Sequence, residues 1–327
     1  MKTRHAGASR LRVTPIGLGL AAVGRPGYIT EGRAADLGED RSPDQMQAAA
    51  HAVLDAAWDA GIRYFDAARS YGRAEAFLAG WLEARGLTSE DVTVASKWGY
   101  RYTAEWRIDA DVHEVKDHSV DHLREQLTET RSLLGEALDA YQIHSATLET
   151  GVLSDPAVLA ELARLREAGV VIGFTTSGPH QADVVRQGIA AEVDGRRLFG
   201  LVQATWNVLE PSVAPALAEA AEAGLVVVVK EGLANGRLTV RGDAGSRGPL
   251  EALASRMGVT PDAVALAAVM AQPWCDVVLS GAVTPGQVRA NLAATSVQLA
   301  APDLAVLARL AEPADAYWQA RAARAWR

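Results

Sequence analysis

The chain of 327 residues contains one cysteine, Cys275, so an internal disulfide is excluded. A free thiol is typical of proteins kept in a reducing compartment, and we expect a cytoplasmic location. No stretch of about 18 consecutive apolar residues is present, and the first ten residues do not lead into the apolar core of a signal peptide. The sequence therefore predicts neither a membrane span nor a secretory signal.

Positive charge is scarce relative to negative charge. The 32 Lys and Arg residues are outnumbered by 40 Asp and Glu residues, which gives a formal net charge of −8 at pH 7. An acidic protein is repelled by nucleic-acid phosphates and by anionic lipid surfaces. We therefore expect neither nucleic acid nor a membrane as the partner.

Short apolar runs alternate with longer helical patterns along the whole chain, and no linker rich in Pro, Gly or Ser divides it. Most runs lack strict polar–apolar alternation, which is typical of strands buried on both faces. The eight runs are residues 13–20, 62–68, 92–98, 138–146, 171–178, 201–207, 225–232 and 276–283. Eight strand–helix units in about 300 residues predict one (β/α)8 TIM barrel, and we expect a single domain over residues 1–327.

The longest interruption of this pattern, residues 99–118, follows the third strand and would overhang the face of a barrel where active sites lie. The segment 312–327 would reach the same rim. Both segments carry aromatic residues that suit a binding pocket, although surface packing would use the same residues. These aromatics are Tyr100, Tyr102 and Trp106 in the first segment and Tyr317, Trp318 and Trp326 in the second.

Polar residues stand at the ends of several predicted strands. Asp66 ends the second strand, Lys97 the third and His144 the fourth, while Tyr71 follows Asp66 on the connecting loop. A barrel brings neighbouring strand ends together at one mouth, so we expect these four side chains to meet. Lys97 would lower the pKa of the tyrosine, and Asp66 would offset the burial of Lys97. A structural role explains each residue singly but not all four together.

The segments FDAARSYG, ASKWG and YQIHS carry these residues, and through them the sequence resembles the aldo-keto reductase superfamily over nearly its whole length. The resemblance implies a barrel with a short N-terminal hairpin and rim loops, and a catalytic tetrad of Asp66, Tyr71, Lys97 and His144. It implies reduction of an aldehyde or ketone by hydride transfer from a nicotinamide cofactor, or the reverse alcohol oxidation, with Tyr71 as general acid or base. The developing alkoxide would lie between Tyr71 and His144. A monomer or weak homo-oligomer acting on a small molecule is the family-level expectation.

The resemblance also implies a cofactor site. Gln203 would hold the nicotinamide carboxamide, and Lys230 stands where the family often places an aromatic residue under the nicotinamide ring. Glu231 could pair with Lys230, and Trp206 could supply the missing ring. The expected cofactor-binding residues are Thr175, Thr176, Gln203, Lys230, Glu231, Gly232, Leu233, Gly236, Gly281, Ala282, Val283, Gln287 and Asn291.

The cofactor type and the substrate are less well specified. NADP(H) is the family default, but the positions expected to offer a cation to its 2′-phosphate hold Gly281, Ala282 and Val283, which leaves NAD(H) open. Arg289 is near but occupies a different place in the motif. The expected pocket has aromatic walls, which suit sugars and planar rings alike. Its predicted residues are Tyr28, Trp98, Trp106 and Trp206.

Other functions explain the sequence less well. Residues 17–24 lack the third glycine of a dinucleotide-binding fingerprint, and no GxSxG elbow indicates a hydrolase. His118 and His122 stand one helical turn apart, but no further ligand set completes a metal site, and we expect no metal. Two alternatives stay open: a sensor or scaffold that binds a nicotinamide nucleotide with little turnover, and a redox-neutral epimerase that retains its cofactor.

Overall fold

The apolar runs of the sequence form strands at the predicted positions in the computed structural model, which describes residues 1–30, 32–242 and 248–326. The strands of the central sheet are buried along nearly their whole length, which explains their apolar sequences. The strands are β1 (Arg4–His5), β2 (Arg12–Val13), β3 (Ile16–Gly19), β4 (Tyr64–Asp66), β5 (Thr93–Trp98), β6 (Tyr100–Tyr102), β7 (Glu114–Lys116), β8 (Leu138–Ala146), β9 (Val171–Thr176), β10 (Glu192–Val193), β11 (Arg196–Arg197), β12 (Leu201–Thr205), β13 (Val226–Lys230) and β14 (Val277–Ser280).

The helices lie mostly between consecutive strands of the central sheet, as the alternating pattern predicts. Side chains cap the starts of some of them: the Asp155 carboxylate accepts hydrogen bonds from the backbone amides of Ala157 and Val158 at the start of α5. The helices are α1 (Arg33–Leu37), α2 (Pro43–Asp59), α3 (Ala74–Arg85), α4 (Val120–Leu134), α5 (Pro156–Glu167), α6 (Gln181–Ala190), α7 (Ala214–Glu222), α8 (Gly248–Met257), α9 (Pro261–Met270), α10 (Pro285–Leu292), α11 (Ala301–Leu307) and α12 (Ala314–Ala322).

Within the described residues, eight strands close a parallel barrel in the order β3, β4, β5, β8, β9, β12, β13, β14. The ring closes where β14 pairs with β3, in a register that places Val278 beside Ile16 and Ser280 beside Leu18. Consecutive strands of the ring are neighbours and run parallel, so each connection returns along the outside. The predicted TIM barrel is confirmed.

A hairpin closes the amino-terminal end of the barrel. β1 and β2 pair antiparallel, and Leu11 and Val13 are buried in the same apolar cluster as the inward-facing residues at that end of the strands. Gly7 turns the hairpin at a φ of 53°, and a Cβ at this position would lie 2.6 Å from the carbonyl oxygen of Gly224. Only glycine fits this contact. The barrel is therefore open at its carboxyl-terminal end, which we call the mouth.

Two segments project over the mouth, at the predicted rim positions. β6 and β7 pair as an antiparallel hairpin, the rim hairpin, with Tyr100 opposite Lys116. α12 is anchored to the end of β12 because Asn207 Nδ2 donates to Tyr317 Oη at 3.0 Å. These segments place aromatic and charged side chains beside the strand ends. That residues 1–327 form one domain stays a prediction.

Candidate active site

An ion pair lies at the bottom of the mouth. Lys97 on β5 contacts the carboxylate of Asp66 at the end of β4 and donates a second hydrogen bond, of 2.9 Å, to the carbonyl oxygen of Ala67. Both charged side chains are fully buried. A buried pair of this kind needs further hydrogen bonds to offset the loss of hydration.

Two buried amides supply those hydrogen bonds. Gln142 Nε2 and Gln203 Nε2 each lie 3.1 Å from Asp66 Oδ1, and Gln203 Nε2 is also 3.3 Å from Gln142 Oε1. Gln142 was missed by the sequence analysis. Its signal was available, because it precedes His144 by two residues on β8 and must therefore face the same side of the strand.

Tyr71 lies above the ion pair on the loop after β4. Its Oη is 3.4 Å from His144 Nε2, and the Lys97 ammonium is 4.8 Å from the centre of its ring. Burial raises the pKa of Tyr71 well above its usual value; Asp66 raises it further, and Arg25 acts in the opposite direction. The expectation that Lys97 lowers this pKa is not met, because burial dominates and Asp66 sits against Lys97. Tyr71 is therefore a protonated phenol at neutral pH, suited to donating a proton.

His144 faces the same point from β8. Burial lowers its pKa well below the usual value, and Lys97, Arg25 and Lys230 lower it further, so the imidazole is neutral. Its Nδ1 lies 3.4 Å from Ser70 Oγ, and its backbone carbonyl is 2.9 Å from His118 Nε2. A neutral imidazole beside a protonated phenol can orient the oxygen of a carbonyl group.

A cavity of about 460 Å³ opens at the mouth and reaches from Tyr71 and His144 to the start of α10. It is lined by most of the predicted site residues. These are Tyr28, Asp66, Tyr71, His144, Gln203, Lys230, Glu231, Gly232, Leu233, Gly236, Gly281, Ala282, Val283, Gln287 and Asn291.

Lys97, Thr175 and Thr176 are predicted site residues that lie behind the cavity wall. Thr175 Oγ1 accepts a hydrogen bond of 2.7 Å from the backbone amide of Ser145, and Thr176 Oγ1 lies 3.2 Å from Gln181 Oε1. Both hydroxyls thus position neighbouring elements. Their expected cofactor contacts stay predictions.

Three predicted pocket aromatics are placed outside the cavity lining. Trp98 is fully buried beside the ring of His118, and Trp206 packs edge-on against Trp274. Trp106 donates through Nε1 to the carbonyl oxygen of Arg41 at 2.8 Å. These rings fill the space between strands, loops and helices, which the sequence pattern could not distinguish from the pocket. The aromatic walls are instead Tyr28, Tyr71, Tyr100 and Trp326.

A charged cluster covers the end of β13. Lys230 Nζ donates to Thr205 Oγ1 at 2.8 Å and lies 3.7 Å from Glu231, and burial lowers the pKa of Lys230 to about 8. Burial alone would raise the pKa of Glu231, but Arg321 and Lys230 lower it to about 2. The expected Lys230–Glu231 contact is present, and Arg321 of α12 is a partner that the sequence did not reveal. The Lys230 ammonium lies over the ring of Trp318, 5.9 Å from its centre, whereas Trp206 packs against Trp274.

The far end of the cavity joins α1, α10 and the loop that carries Arg241. Gln287 Nε2 donates to Asp36 Oδ2 at 2.7 Å, and Asp36 forms an ion pair of 2.7 Å with Arg241. Asn291 Nδ2 donates to Ser280 Oγ at 2.8 Å. Asp36 and Arg241 were not predicted from the sequence, whereas Arg289 is exposed and does not line the cavity. This end therefore offers an acid and a cation side by side.

Other kinds of site are less well supported by the part of the chain that the structure describes. It contains no group of three or more His, Cys, Asp or Glu side chains arranged to hold a metal ion. It also contains no helix that is both long enough and apolar enough to cross a membrane.

Comparisons with known proteins agree with this geometry. The model of the Aldo/keto reductase family matches residues 15–312. Among curated proteins, a pyridoxal 4-dehydrogenase of Microbacterium luteolum is 27% identical over 243 residues. That match covers 65% of this chain and 66% of the relative, which is less than two thirds of either protein.

Solved structures share the fold at lower identity. The holo form of an aldo-keto reductase from Bacillus halodurans is 23% identical, has a TM-score of 0.71 and covers 96% of this chain and 97% of that one. A glycerol dehydrogenase from Gluconobacter oxydans is 20% identical, with a TM-score of 0.71 and 94% of each chain covered. At these identities the likeness concerns the fold.

Proposed function

The chain belongs to the aldo/keto reductase family, and from this premise we propose that it catalyses the NAD(P)H-dependent reduction of an aldehyde or ketone, or the reverse oxidation of an alcohol. One observation carries the proposal. A protonated Tyr71 and a neutral His144 converge at the end of a cavity, directly above the buried Lys97–Asp66 pair. This arrangement suits proton transfer to a carbonyl oxygen.

Each residue of the site has a separate role in the proposed reaction. A bound reduced nicotinamide supplies the hydride that adds to the carbonyl carbon. Tyr71 donates its phenolic proton to the carbonyl oxygen, so that hydride and proton together give the alcohol. His144 Nε2 holds that oxygen beside the phenol, because its neutral ring lies 3.4 Å from Tyr71 Oη. Lys97 and Asp66 form the buried ion pair at the bottom of the site.

The cavity has the donor set that a dinucleotide requires. Gln203 lines it next to Asp66, where an amide side chain would hold the carboxamide of the nicotinamide. Farther along, Gly281 and Ala282 lead to the start of α10, where the positive end of the helix dipole favours a phosphate. Gly232, Leu233 and Gly236 would cover the diphosphate from the opposite side, and Gln287 and Asn291 would lie at the adenine end.

At the adenine end of the cavity, one residue favours NAD(H) and another favours NADP(H). Asp36 would accept a hydrogen bond from the free 2′-hydroxyl of NAD(H), and its charge opposes a 2′-phosphate. Arg241 would instead bind the 2′-phosphate of NADP(H) if it exchanged its contact with Asp36. Titration with NADH and NADPH, followed by nicotinamide fluorescence, separates the two. Tighter NADH binding would assign the preference to Asp36, and tighter NADPH binding would assign it to Arg241.

Turnover of an aromatic aldehyde tests the reaction itself, since the name of the Microbacterium relative specifies pyridoxal. In Tyr71→Phe the proton donor is absent, and we expect kcat to fall about 10²- to 10⁴-fold while the dissociation constant of the cofactor stays unchanged. The matched control is Tyr102→Phe, which removes a hydroxyl from a rim tyrosine outside the cavity lining. We expect that control to keep the wild-type rate.

The alternatives give different results in the same assays. A sensor or scaffold would bind the nucleotide tightly and reduce no carbonyl compound. An epimerase would convert its substrate without net consumption of NAD(P)H. Failure to bind either nucleotide would contradict the oxidoreductase proposal and both alternatives.

A further inference from the structure

Arg25 is a buried cation in the wall of the cavity that the mechanism above does not use. It lies on the loop after β3, its side chain is only 3% exposed, and it lines the cavity beside Tyr71. Its Nη1 donates to the carbonyl oxygen of Ser70 at 3.0 Å and to Glu114 Oε2 at 2.8 Å. Glu114 belongs to the rim hairpin, so the contact joins two separate loops.

The guanidinium is held rigidly. Its central carbon lies 4.8 Å from the ring centre of Tyr28, 5.1 Å from that of Tyr71 and 4.5 Å from that of Trp326. Arg33 fixes the backbone of the same loop, because it donates to the carbonyl oxygens of Ala22, Arg25 and Pro26. An arginine fixed in this way loses little entropy when it binds a ligand.

Several donors of Arg25 are unused. A guanidinium has five N–H groups, and the two described contacts both use Nη1. Nε is buried without a partner, and neither Nε nor Nη2 forms a hydrogen bond to another residue that the structure describes. Buried donors are almost always paired, because leaving one unpaired costs free energy. Nε is closed off from solvent, so Nη2 is the donor through which this fixed cation in the cavity wall can reach an oxygen atom of a ligand.

The other cations near Tyr71 are already engaged. Lys97 contacts Asp66, while Lys230 and Arg321 both contact Glu231. We propose that Arg25 binds a hydroxyl oxygen carried next to the reacting carbonyl, and so selects α-hydroxy or ortho-hydroxy carbonyl substrates over simple ones. The inference rests on the proposed function for the position of that carbonyl between Tyr71 and His144.

The position of Arg25 relative to Tyr71 determines which hydroxyl groups of a substrate it can bind. Arg25 lies over the face of the Tyr71 ring, while the phenolic oxygen at the edge of that ring faces His144. A carbonyl oxygen at the phenol and a hydroxyl on an adjacent carbon can therefore bind their donors at the same time. A hydroxyl at the far end of an aromatic aldehyde points away from Arg25 and gains nothing from it.

The kinetic experiment compares salicylaldehyde, 4-hydroxybenzaldehyde and benzaldehyde in the wild type, Arg25→Met and Arg101→Met. Arg101 is half-exposed on the rim hairpin and pairs with Glu125 outside the cavity, so it is the matched control. Comparing ratios of kcat/KM between enzymes cancels the intrinsic reactivity of each aldehyde. We expect Arg25→Met to lower the salicylaldehyde-to-benzaldehyde ratio of kcat/KM about 10- to 100-fold. The 4-hydroxybenzaldehyde-to-benzaldehyde ratio should stay unchanged.

A binding experiment tests the same inference without turnover. Salicylamide and benzamide carry unreactive carbonyl groups, and calorimetry on the cofactor-loaded protein gives their dissociation constants. We expect salicylamide to bind more tightly than benzamide, by a factor that disappears in Arg25→Met. In Glu114→Gln we expect that factor to increase several-fold, because the carboxylate that partly neutralises the charge of Arg25 is removed. This variant keeps the test decisive if Arg25→Met fails to fold.

The results separate the two proposals. Selective salicylamide binding with no turnover of any aldehyde would uphold the role of Arg25 and contradict the proposed reaction. Turnover with ratios that neither Arg25→Met nor Glu114→Gln changes would uphold the reaction and overturn the role of Arg25. An equal loss for all three aldehydes in Arg25→Met would also overturn it, since that result indicates a general effect on Tyr71.

Discussion

Two buried aspartates at opposite ends of the barrel have different environments. Asp66, at the mouth, contacts Lys97 and receives hydrogen bonds from Gln142 and Gln203. Asp139, at the closed end on β8, receives one hydrogen bond of 2.9 Å from the backbone amide of Val94, and Arg10 lies 3.9 Å away. Burial raises the pKa of Asp139 to about 6.

The difference shows what distinguishes a site from a merely buried charge. A buried carboxylate costs free energy wherever it lies. At the mouth the chain supplies a cation and two amides to keep that charge in place, whereas at the closed end it supplies one amide and a distant arginine. Compensation from several strands, rather than burial, therefore distinguishes the mouth, where the proposed site lies, from the closed end of the barrel. The following substitutions test this comparison.

The largest effect is expected when the cation at the mouth is removed. Lys97→Met leaves Asp66 buried without its counter-charge, and we expect the free energy of unfolding to fall by about 3–5 kcal/mol at pH 7. Chemical denaturation measures the change. The control is the double variant Asp66→Asn/Lys97→Met, which removes both charges and should recover part of the loss. A loss below about 1 kcal/mol in the single variant would show that the two amides suffice.

A smaller effect of opposite sign is expected at the closed end. The pKa of Asp139 is about 6 in the folded protein and near 3.8 when unfolded, so the folded state holds its proton more tightly. Stability from this group is complete below pH 4 and is lost as the pH rises through 6. Asp139→Asn cannot ionise and therefore avoids that loss. We expect its free energy of unfolding to exceed that of the wild type by about 1–3 kcal/mol above pH 6, which corresponds to a shift of about two pKa units.

Denaturation curves from pH 4 to pH 8 check this second expectation. The wild type and Asp139→Asn should be about equally stable at pH 4 and should diverge between pH 4 and pH 6. A difference that is the same at every pH would mean that packing, and not the proton, sets the cost of Asp139.

The smallest effect is expected from the cation at the closed end. Arg10 is 59% exposed and 3.9 Å from Asp139, so solvent screens the pair. Arg10→Ala should change the free energy of unfolding by no more than about 0.5 kcal/mol. If this variant lost as much stability as Lys97→Met, the two aspartates would be compensated alike and the comparison would fail.

The sequence was informative about the barrel and about those residues whose positions follow from the strand pattern. The barrel could be predicted because its strands are mostly apolar, and Asp66, Lys97 and His144 could be grouped because each stands at or near the end of its strand. Arg25, Asp36 and Arg321 escaped notice because their partners Glu114, Arg241 and Glu231 lie far away in the sequence. No local pattern encodes such pairs.

The aromatic residues show a second limit. Trp98, Trp106 and Trp206 were predicted to form aromatic walls of the pocket, yet a tryptophan also fills gaps behind a sheet. Which side a ring takes depends on the local course of the backbone, and Trp106 has a positive φ of 67° that no residue-type preference indicates. The roles of the site residues themselves stay predictions.

Closure of the ring between β3 and β14 has a consequence for the synthesis of the protein. The first barrel strand leaves the ribosome long before the last, and until β14 arrives β3 keeps one edge unpaired. Gly19 and Ser280, on either side of this junction, both line the cavity. The cavity is therefore incomplete until this pairing forms, and a dinucleotide that binds there would favour the closed ring. Cellular cofactor supply would then act on the maturation of new chains, by favouring the closed ring through mass action.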